Sequence, residues 1–412
     1  MRRLVYLVDS YPCLSQTFTL EEVRGLREAG LPLRVVTMHD PGPHDPAADP
    51  ELDPSVTRLA SLASPAPWLA LLYWLVRRPP TLLSLLIDVL RPHTSPFLLR
   101  FQLRSPLHLA WGALLAREVD EHDNLHSQFL FAASTVAWVA SRLSGASFSF
   151  TCHGDHGLLL ARPKLRDARR VIAISESEKT RLHAHRPGLP DDRVVVHRLG
   201  VAVPEACPEL PADGPPDSPL RLLAVGSLGP VKGHDVLLRA LALVRDEGEP
   251  VHLDLVGDGP ERARLEALVT ELKLEEQVTL HGAIPHARAL ALRDAAHLSV
   301  LACRVTDDGD HDGIPIALME GMAAGRPVVS TRLSGIPELV EDGVSGLLAT
   351  PDDARSFADA LLRLVRSEAD RTAMGRAAWE RVRERHERGR SRENAARLFQ
   401  AILEDRRPDL LS

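Results

Sequence analysis

Residues 307–329 read DDGDHDGIPIALMEGMAAGRPVV. Crowded carboxylates give way to Gly and Pro, and then to an apolar run that holds one lone acid, Glu320. Asp308, Asp310, Asp312 and Gly313 match the opening of an EF-hand loop, D-x-D-x-D-G. The match then fails. The twelfth position, which needs a bidentate Glu, is Met319. Glu320 comes one residue late, and on a helix that turns it roughly 100° away. The entering segment HLSVLAC reads as a strand rather than a helix. A second reading fits better. Pro315 suits the first turn of a helix, where its missing N–H is not needed. The helix would run IPIALMEGMAAG and stop near Gly325, with Pro327 just beyond. Its N-terminus would favour phosphate. Asp312 would sit at the mouth and Glu320 roughly 12 Å along. Two carboxylates so placed can accept bonds from paired hydroxyls at either end of a phosphate-bearing ligand. The bland alternative is a solvated helix acid beside a surface Asp loop.

The surroundings of this stretch set the fold class. Strand-like runs (LVYLVDS, RVVTM, FSFTCHG, RVIAIS, RVVVHRLGV, then RLLAVGS, VHLDLVGDG, QVTLHG, HLSVLAC, RPVVST, SGLLAT) alternate with helical segments such as HDVLLRALALVRDEG. That alternation predicts α/β architecture with parallel, doubly wound sheets. The segment CPELPADGPPDSP, Cys207 to Pro219, is rich in Pro and Asp and lacks periodicity, so it reads as a linker. The chain of 412 residues is long enough for two domains. The expected division is residues 1–206, a linker 207–219, a second Rossmann-like domain 220–375, and helices over 376–412 packing back towards the first domain. Strands of the second half end in Gly plus a polar residue, as at Gly226-Ser227. Open α/β sheets bind ligands beyond those ends.

Composition narrows the function. A net charge of −7 argues for no nucleic-acid partner. Four scattered cysteines without a C-x-x-C pair fit a reducing cytoplasm and no structural zinc. The start, MRRLVYLVDSYP, reads as a first strand, not a signal peptide. No run reaches the roughly 18 apolar residues of a membrane span. The window 68–117 is still unusual. It holds Arg77, Arg78, Arg91, Arg100, Arg104 and Arg117 against the single acid Asp88, with Trp68, Trp74 and Trp111. It reads either as helices packed on their own domain or as a surface resting on anionic lipid headgroups.

DGIPIALMEGMAAGRPVV resembles the E-x7-E signature of retaining glycosyltransferase family 4, which has the GT-B fold: two Rossmann-like domains facing a cleft. VGSLGPVKGHDVLLRA is similar to that family's phosphate-binding strand, loop and helix. YPCLSQTFTLEEV, HSQF and SFTCHGDHG resemble segments of its exopolysaccharide-type members. The resemblance implies that Glu320 holds the ribose hydroxyls of a nucleotide sugar. It implies that Asp312, with the backbone of Gly313 and Ile314, holds the transferred sugar, and that Lys232 neutralises the leaving diphosphate. His153 would reach the sugar, and Ser15, Gln16 and Thr17 would form a loop at the cleft. No metal or cofactor is implied beyond a UDP- or GDP-sugar donor, and the acceptor would be a glycan or a lipid-linked sugar. The expected setting is surface polysaccharide or glycolipid assembly at the inner face of the plasma membrane.

Three residues depart from the family pattern. Ser227 stands where the family has Arg, Asp312 replaces the first Glu of the pair, and Gln16 replaces a Glu. Arg304, just past HLSVLAC, is placed to supply the charge missing at Ser227. The departures leave open a weakened relative that binds nucleotide sugars or acts as a scaffold, and GT-B-like sheets also serve sugar-nucleotide epimerases. His153 lies in CHGDH, whose Cys152, Asp155 and His156 raise a metal site or a structural histidine as further readings.

Overall fold

A computed structural model describes residues 2–11, 17–40, 56–91, 104–154, 160–215, 218–307, 309–406 and 408. The chain divides into two compact units, residues 1–198 with 389–412, and residues 199–388. Each is built on a parallel sheet, as the strand–helix alternation predicts.

In the first unit the sheet has seven strands. They are β1 (Leu4–Val8), β2 (Leu33–Thr37), β3 (Thr57–Arg58), β4 (Asn124–Gln128), β5 (Ser147–Cys152), β6 (Arg170–Ala173) and β7 (Val194–Val196). The order is β3-β2-β1-β4-β5-β6-β7. Leu4 pairs with Leu33 on one side and with Asn124 on the other, both in parallel register. The order therefore reverses between β1 and β4. Strand β1, LVYLV, is buried at every position, as a central parallel strand covered on both faces must be. One face packs Leu7, Val36, Leu125 and Phe150 against the helices Ser105–Leu115 and Ala132–Ser144. The other packs Leu4, Tyr6 and Ile172 against Leu398, Phe399 and Ile402 of the helix Arg388–Glu404.

The second unit has six strands: β8 (Leu220–Val225), β9 (Val251–Val256), β10 (Val278–Gly282), β11 (Leu298–Val300), β12 (Val328–Thr331) and β13 (Gly346–Ala349). Their order is β10-β9-β8-β11-β12-β13, again all parallel. The reversal falls between β8 and β11, and ligands of open parallel sheets collect beyond the carboxyl ends at such a point. The described part of Cys207–Pro219 lies within this unit. Arg326 donates to the Glu209 carbonyl at 2.9 Å. Arg371, itself buried, caps the Leu364 and Val365 carbonyls and pairs with Asp213.

Candidate functional site

Val225 ends β8, and the chain turns through Gly226, Ser227 and Gly229 into the short turn Pro230–Lys232 before the helix His234–Asp246. Gly233 joins turn and helix at φ 61°, and a Cβ there would stand 1.9 Å from the Ala302 carbonyl oxygen. Only glycine lets the turn pack so closely on the end of β11. The turn thus brings backbone N–H groups and a helix N-terminus to the sheet's switch point, the arrangement that favours anions.

Lys232 lies on this turn and forms an ion pair with Asp312, which follows β11. The ammonium is 15% exposed and the carboxylate 24%. Burial alone would lower the Lys232 pKa, but the nearby Asp312 and Asp310 carboxylates outweigh it and the pKa is raised. Lys232 is therefore a fixed cation at neutral pH. Cys303 comes within 3.7 Å of Asp312. Burial and that carboxylate push its thiol well up, so it is no nucleophile.

Arg304 braces the same turn. Its amide donates to the Val231 carbonyl at 3.0 Å and its Nε to the Pro230 carbonyl at 3.1 Å. Its remaining guanidinium contacts, at 3.3 Å, are Asp235 and Asp352. The sequence suggested a charge offered to a phosphate. The geometry shows a guanidinium matched by two carboxylates and tied to the loop that carries Lys232. The Ser227 carbonyl faces His234 Nε2 at 3.3 Å, and its side chain is exposed.

After Asp312 and Gly313 comes Ile314, which is buried. Pro315 is the N-cap of the helix Ile316–Ala323, one position earlier than its expected place in the first turn. The helix ends at Ala323, short of Gly325, which turns at φ 73°. Leu318, Met319 and Met322 fix one face in the core, and Gly321 lies against Ser299 of β11. Glu320 stands half-buried on the opposite side. It accepts a bond from His286 Nε2 at 3.3 Å, and that bond raises the His286 pKa. Glu320 and His286 line a pocket of about 470 Å³ with Leu290, Arg293 and Pro208. Sequence reasoning missed His286. Nothing local marks it, because its contact with Glu320 spans 34 residues.

In the first unit, His153 follows the end of β5. Its Nε2 is hydrogen-bonded to Gln128 Oε1, and its ring lies 4.5 Å from Phe18 and 4.7 Å from Phe129. Burial lowers its pKa to about 3, so the ring is neutral. Cys152 donates to Glu178 at 2.9 Å. Among the described residues no cluster of three His, Cys, Asp or Glu is placed to hold a metal. Asp155, His156, Asp308, Ser15 and Gln16 lie outside the described residues. Thr17 opens the helix Thr17–Glu28.

The comparisons with known proteins cover both halves of the chain. A family model described as Glycosyltransferase Family 4 matches residues 15–203, and one described as Glycosyl transferases group 1 matches residues 209–381. WcaL of Escherichia coli K12, named as a colanic acid biosynthesis glycosyltransferase, is 36% identical over 203 residues, 49% of each chain. The amylovoran biosynthesis glycosyltransferase AmsK of Erwinia amylovora is 39% identical over 183 residues, 44% of each chain. The alignments span about half the length of these curated relatives. A crystal structure of Anabaena HepE with UDP and glucose superposes with a TM-score of 0.70 at 18% identity, covering 97% of this chain and 100% of that one. At that identity the likeness concerns the fold. The two models together account for both units, and the chain belongs to the GT-B glycosyltransferases of the family 4 and group 1 type.

Proposed function

We propose that the protein is a retaining glycosyltransferase. It transfers a sugar from a UDP- or GDP-sugar to a glycan or lipid-linked acceptor during surface polysaccharide assembly. The names of the relatives, colanic acid and amylovoran biosynthesis, support the polysaccharide setting. The observation that carries the reading is the Lys232–Asp312 pair at the switch point, beside a glycine-bearing turn and a helix N-terminus. In this reading Lys232 and the helix N-terminus stabilise the departing diphosphate. Asp312, Gly313 and Ile314 hold the sugar, and Glu320 accepts the ribose hydroxyls. His153 is a contact to the reacting substrate, and Ser15, Gln16 and Thr17 belong to its loop. A diphosphate gathers charge as it leaves, so preorganised cations dominate the barrier. The reading calls for no cofactor beyond the donor.

An anionic membrane surface completes the reading. No helix among the described residues is long and apolar enough to cross a membrane. The helices Ala66–Arg77 and Pro79–Leu90 nevertheless expose large apolar side chains. Leu83, Leu86, Ile87 and Leu90 form an outward stripe at helical spacing, and Trp68, Leu72 and Val76 extend the apolar surface. Arg77, Arg78 and Arg91 flank them, and the one acid, Asp88, is buried against Arg166. Apolar side chains rimmed by arginines suit lipid headgroups of negative charge.

The test is thermal unfolding with UDP, GDP and ADP, on the wild type and Glu320→Ala. A nucleotide at a hundred times its Kd stabilises by about 2.7 kcal/mol. A shift with UDP or GDP that is lost in Glu320→Ala is the expected result. No shift with either would remove the donor assignment.

A further inference from the structure

Strand β4 reads Asn124-Leu-His-Ser-Gln128, and all five residues are buried in the middle of the seven-stranded sheet. Central parallel strands are normally continuous apolar runs, and buried polar groups cost stability unless they are bonded. The bonds exist. Asn124 donates to Ser147 at 2.8 Å, and the His126 ring lies between Ser149 at 2.9 Å and Thr151 at 3.2 Å. The last residue of the strand, Gln128, connects two titratable groups. Its Nε2 donates to Glu22 Oε1 at 2.8 Å and lies against the Tyr6 hydroxyl, which itself donates to the same Glu22 oxygen. Tyr6 is fully buried and Glu22 is 8% exposed.

This arrangement fixes the Gln128 amide. A carboxylate oxygen accepts, so the NH2 of Gln128 must face Glu22. The amide oxygen then points the other way, to His153 Nε2. An amide oxygen cannot donate, so Nε2 carries the proton of the neutral ring. Nδ1 is left as the ring's lone pair. Burial raises the Glu22 carboxyl to about 7, but with Tyr6 and Gln128 both donating to Oε1, that atom accepts in either protonation state. Phe18 and Phe129 hold the ring plane. Phe129 sits at φ 63°, a left-handed conformation that costs a non-glycine residue energy, and its amide is tied to the Thr151 carbonyl at 2.9 Å. The same residue places its ring 4.7 Å from that of His153.

We propose that Glu22 is a positioning residue: acting through Gln128, it sets His153 as the Nε2–H tautomer and leaves Nδ1 to accept a hydrogen bond from a substrate hydroxyl. The substrate half of this statement rests on the proposed function; the tautomer half does not. Where such a partner orients a metal-bound histidine, its loss costs about 10- to 100-fold in affinity or activity, and the lower end of that range is the effect expected here.

The full-length protein, labelled with nitrogen-15 at histidine, is compared as wild type, Glu22→Gln and Glu22→Leu. Long-range proton–nitrogen correlation reads the tautomer, with the His153 signal assigned by its loss in His153→Gln. Wild type and Glu22→Gln, which keeps an acceptor oxygen, are expected to show Nε2–H only. Glu22→Leu is expected to mix the tautomers. If Glu22→Leu does not fold, Gln128→Met removes the same link and carries the same expectation. An unchanged tautomer in the folded variant overturns the proposal. Turnover is read separately. A mixed tautomer with kcat about tenfold lower and donor KM unchanged supports both readings. A mixed tautomer with kcat unchanged supports the positioning by Glu22 and removes His153 from the transfer reaction.

Discussion

Lys232 and Asp312, 80 residues apart in sequence, form an ion pair at the carboxyl ends of β8 and β11. The pair has a consequence for binding. Asp312 already neutralises the cation that the proposed function assigns to the diphosphate, so the two anions compete for one ammonium. Asp312→Asn is expected to bind UDP or GDP about tenfold more tightly, a gain of about 1.4 kcal/mol. It is expected to transfer sugar more slowly, because the sugar loses its carboxylate. Titration calorimetry with the nucleotide and an initial-rate assay with the sugar donor check the two halves. Lys232→Ala is expected to lower kcat by about 10² to 10³, as loss of a preorganised charge at a leaving group does. Equal nucleotide affinity in wild type and Asp312→Asn would mean that the pair is only a structural brace.

Glu320 predicts a pH effect through His286. The hydrogen bond from His286 raises that ring's pKa, and protonation strengthens its hold on the carboxylate. The ribose hydroxyls assigned to Glu320 then meet a carboxylate already engaged. Nucleotide affinity is therefore expected to fall as pH drops from 8 to 6. The pair is partly exposed, and such pairs are worth at most about 1 kcal/mol, so the loss should stay within about fivefold. His286→Ala should flatten the profile. Affinity measured across that range decides it: a wild-type curve unchanged between pH 8 and 6 would show that Glu320 and the ribose do not meet.

The legible and illegible parts of the molecule differ for physical reasons. Strand β1 is an apolar run and β8 is one apart from Arg221, as parallel strands covered on both faces usually are. Lys232 was legible only through the likeness of VGSLGPVKGHDVLLRA to a family's phosphate-binding loop, and the need for Gly233 beside it appears only in its close approach to Ala302. Glu320 stood out as one acid in an apolar helix. Strand β4 did not, because Asn, His, Ser and Gln carry the composition of a loop. Its burial depends on partners from β5, β1 and the helix Thr17–Glu28 that no local window contains. Glu22, in the run TLEEV, carries no local mark of burial, yet it is buried under Tyr6. The apolar face of the helices 66–90 was visible as a run of Leu and Trp, but only the coordinates show that much of it points outward.

Buried titratable groups set the stability of the first unit against pH. Burial lowers His126 and His153 to about 3, and His108 and His197 to about 4. Their folded values lie below the ordinary 6.5, so their stability is present above pH 6.5 and is lost as pH falls towards those values. At pH 5 each costs up to about 2 kcal/mol. Glu22 acts in the opposite sense. Its folded value of about 7 lies above the ordinary 4.5, so its contribution is present below 4.5 and is lost as pH rises through 7. Four lowered imidazoles outweigh the two raised carboxyls, Glu22 and Asp9, on the acid side. The melting temperature is expected to be highest near pH 6.5 to 7 and to fall markedly by pH 5. Glu22→Gln should remove this opposing contribution, which acts between about pH 4.5 and 7, and so make the fall in melting temperature from pH 7 to 5 steeper. A flat melting temperature from pH 7 to 5 would show that these rings are not held neutral.

The outward face of the helices Ala66–Arg77 and Pro79–Leu90 predicts lipid binding with two separable components. The stripe Leu83, Leu86, Ile87 and Leu90 supplies apolar contact, with Trp68 suited to the headgroup level. Arg77, Arg78 and Arg91 supply attraction worth about 1 kcal/mol each near an anionic surface. Co-sedimentation with vesicles of phosphatidylcholine containing phosphatidylglycerol should therefore exceed that with phosphatidylcholine alone, and should weaken as salt rises. Leu86→Glu and Leu72→Glu lie on exposed positions, so they should leave the melting temperature unchanged while abolishing sedimentation. Arg77→Glu with Arg78→Glu should remove the preference for the anionic lipid. A second copy of the chain could cover the same apolar stripe. In that case the wild type would be a dimer by sedimentation velocity, Leu86→Glu would be a monomer, and neither would follow the vesicles. That outcome would replace the membrane by a subunit interface.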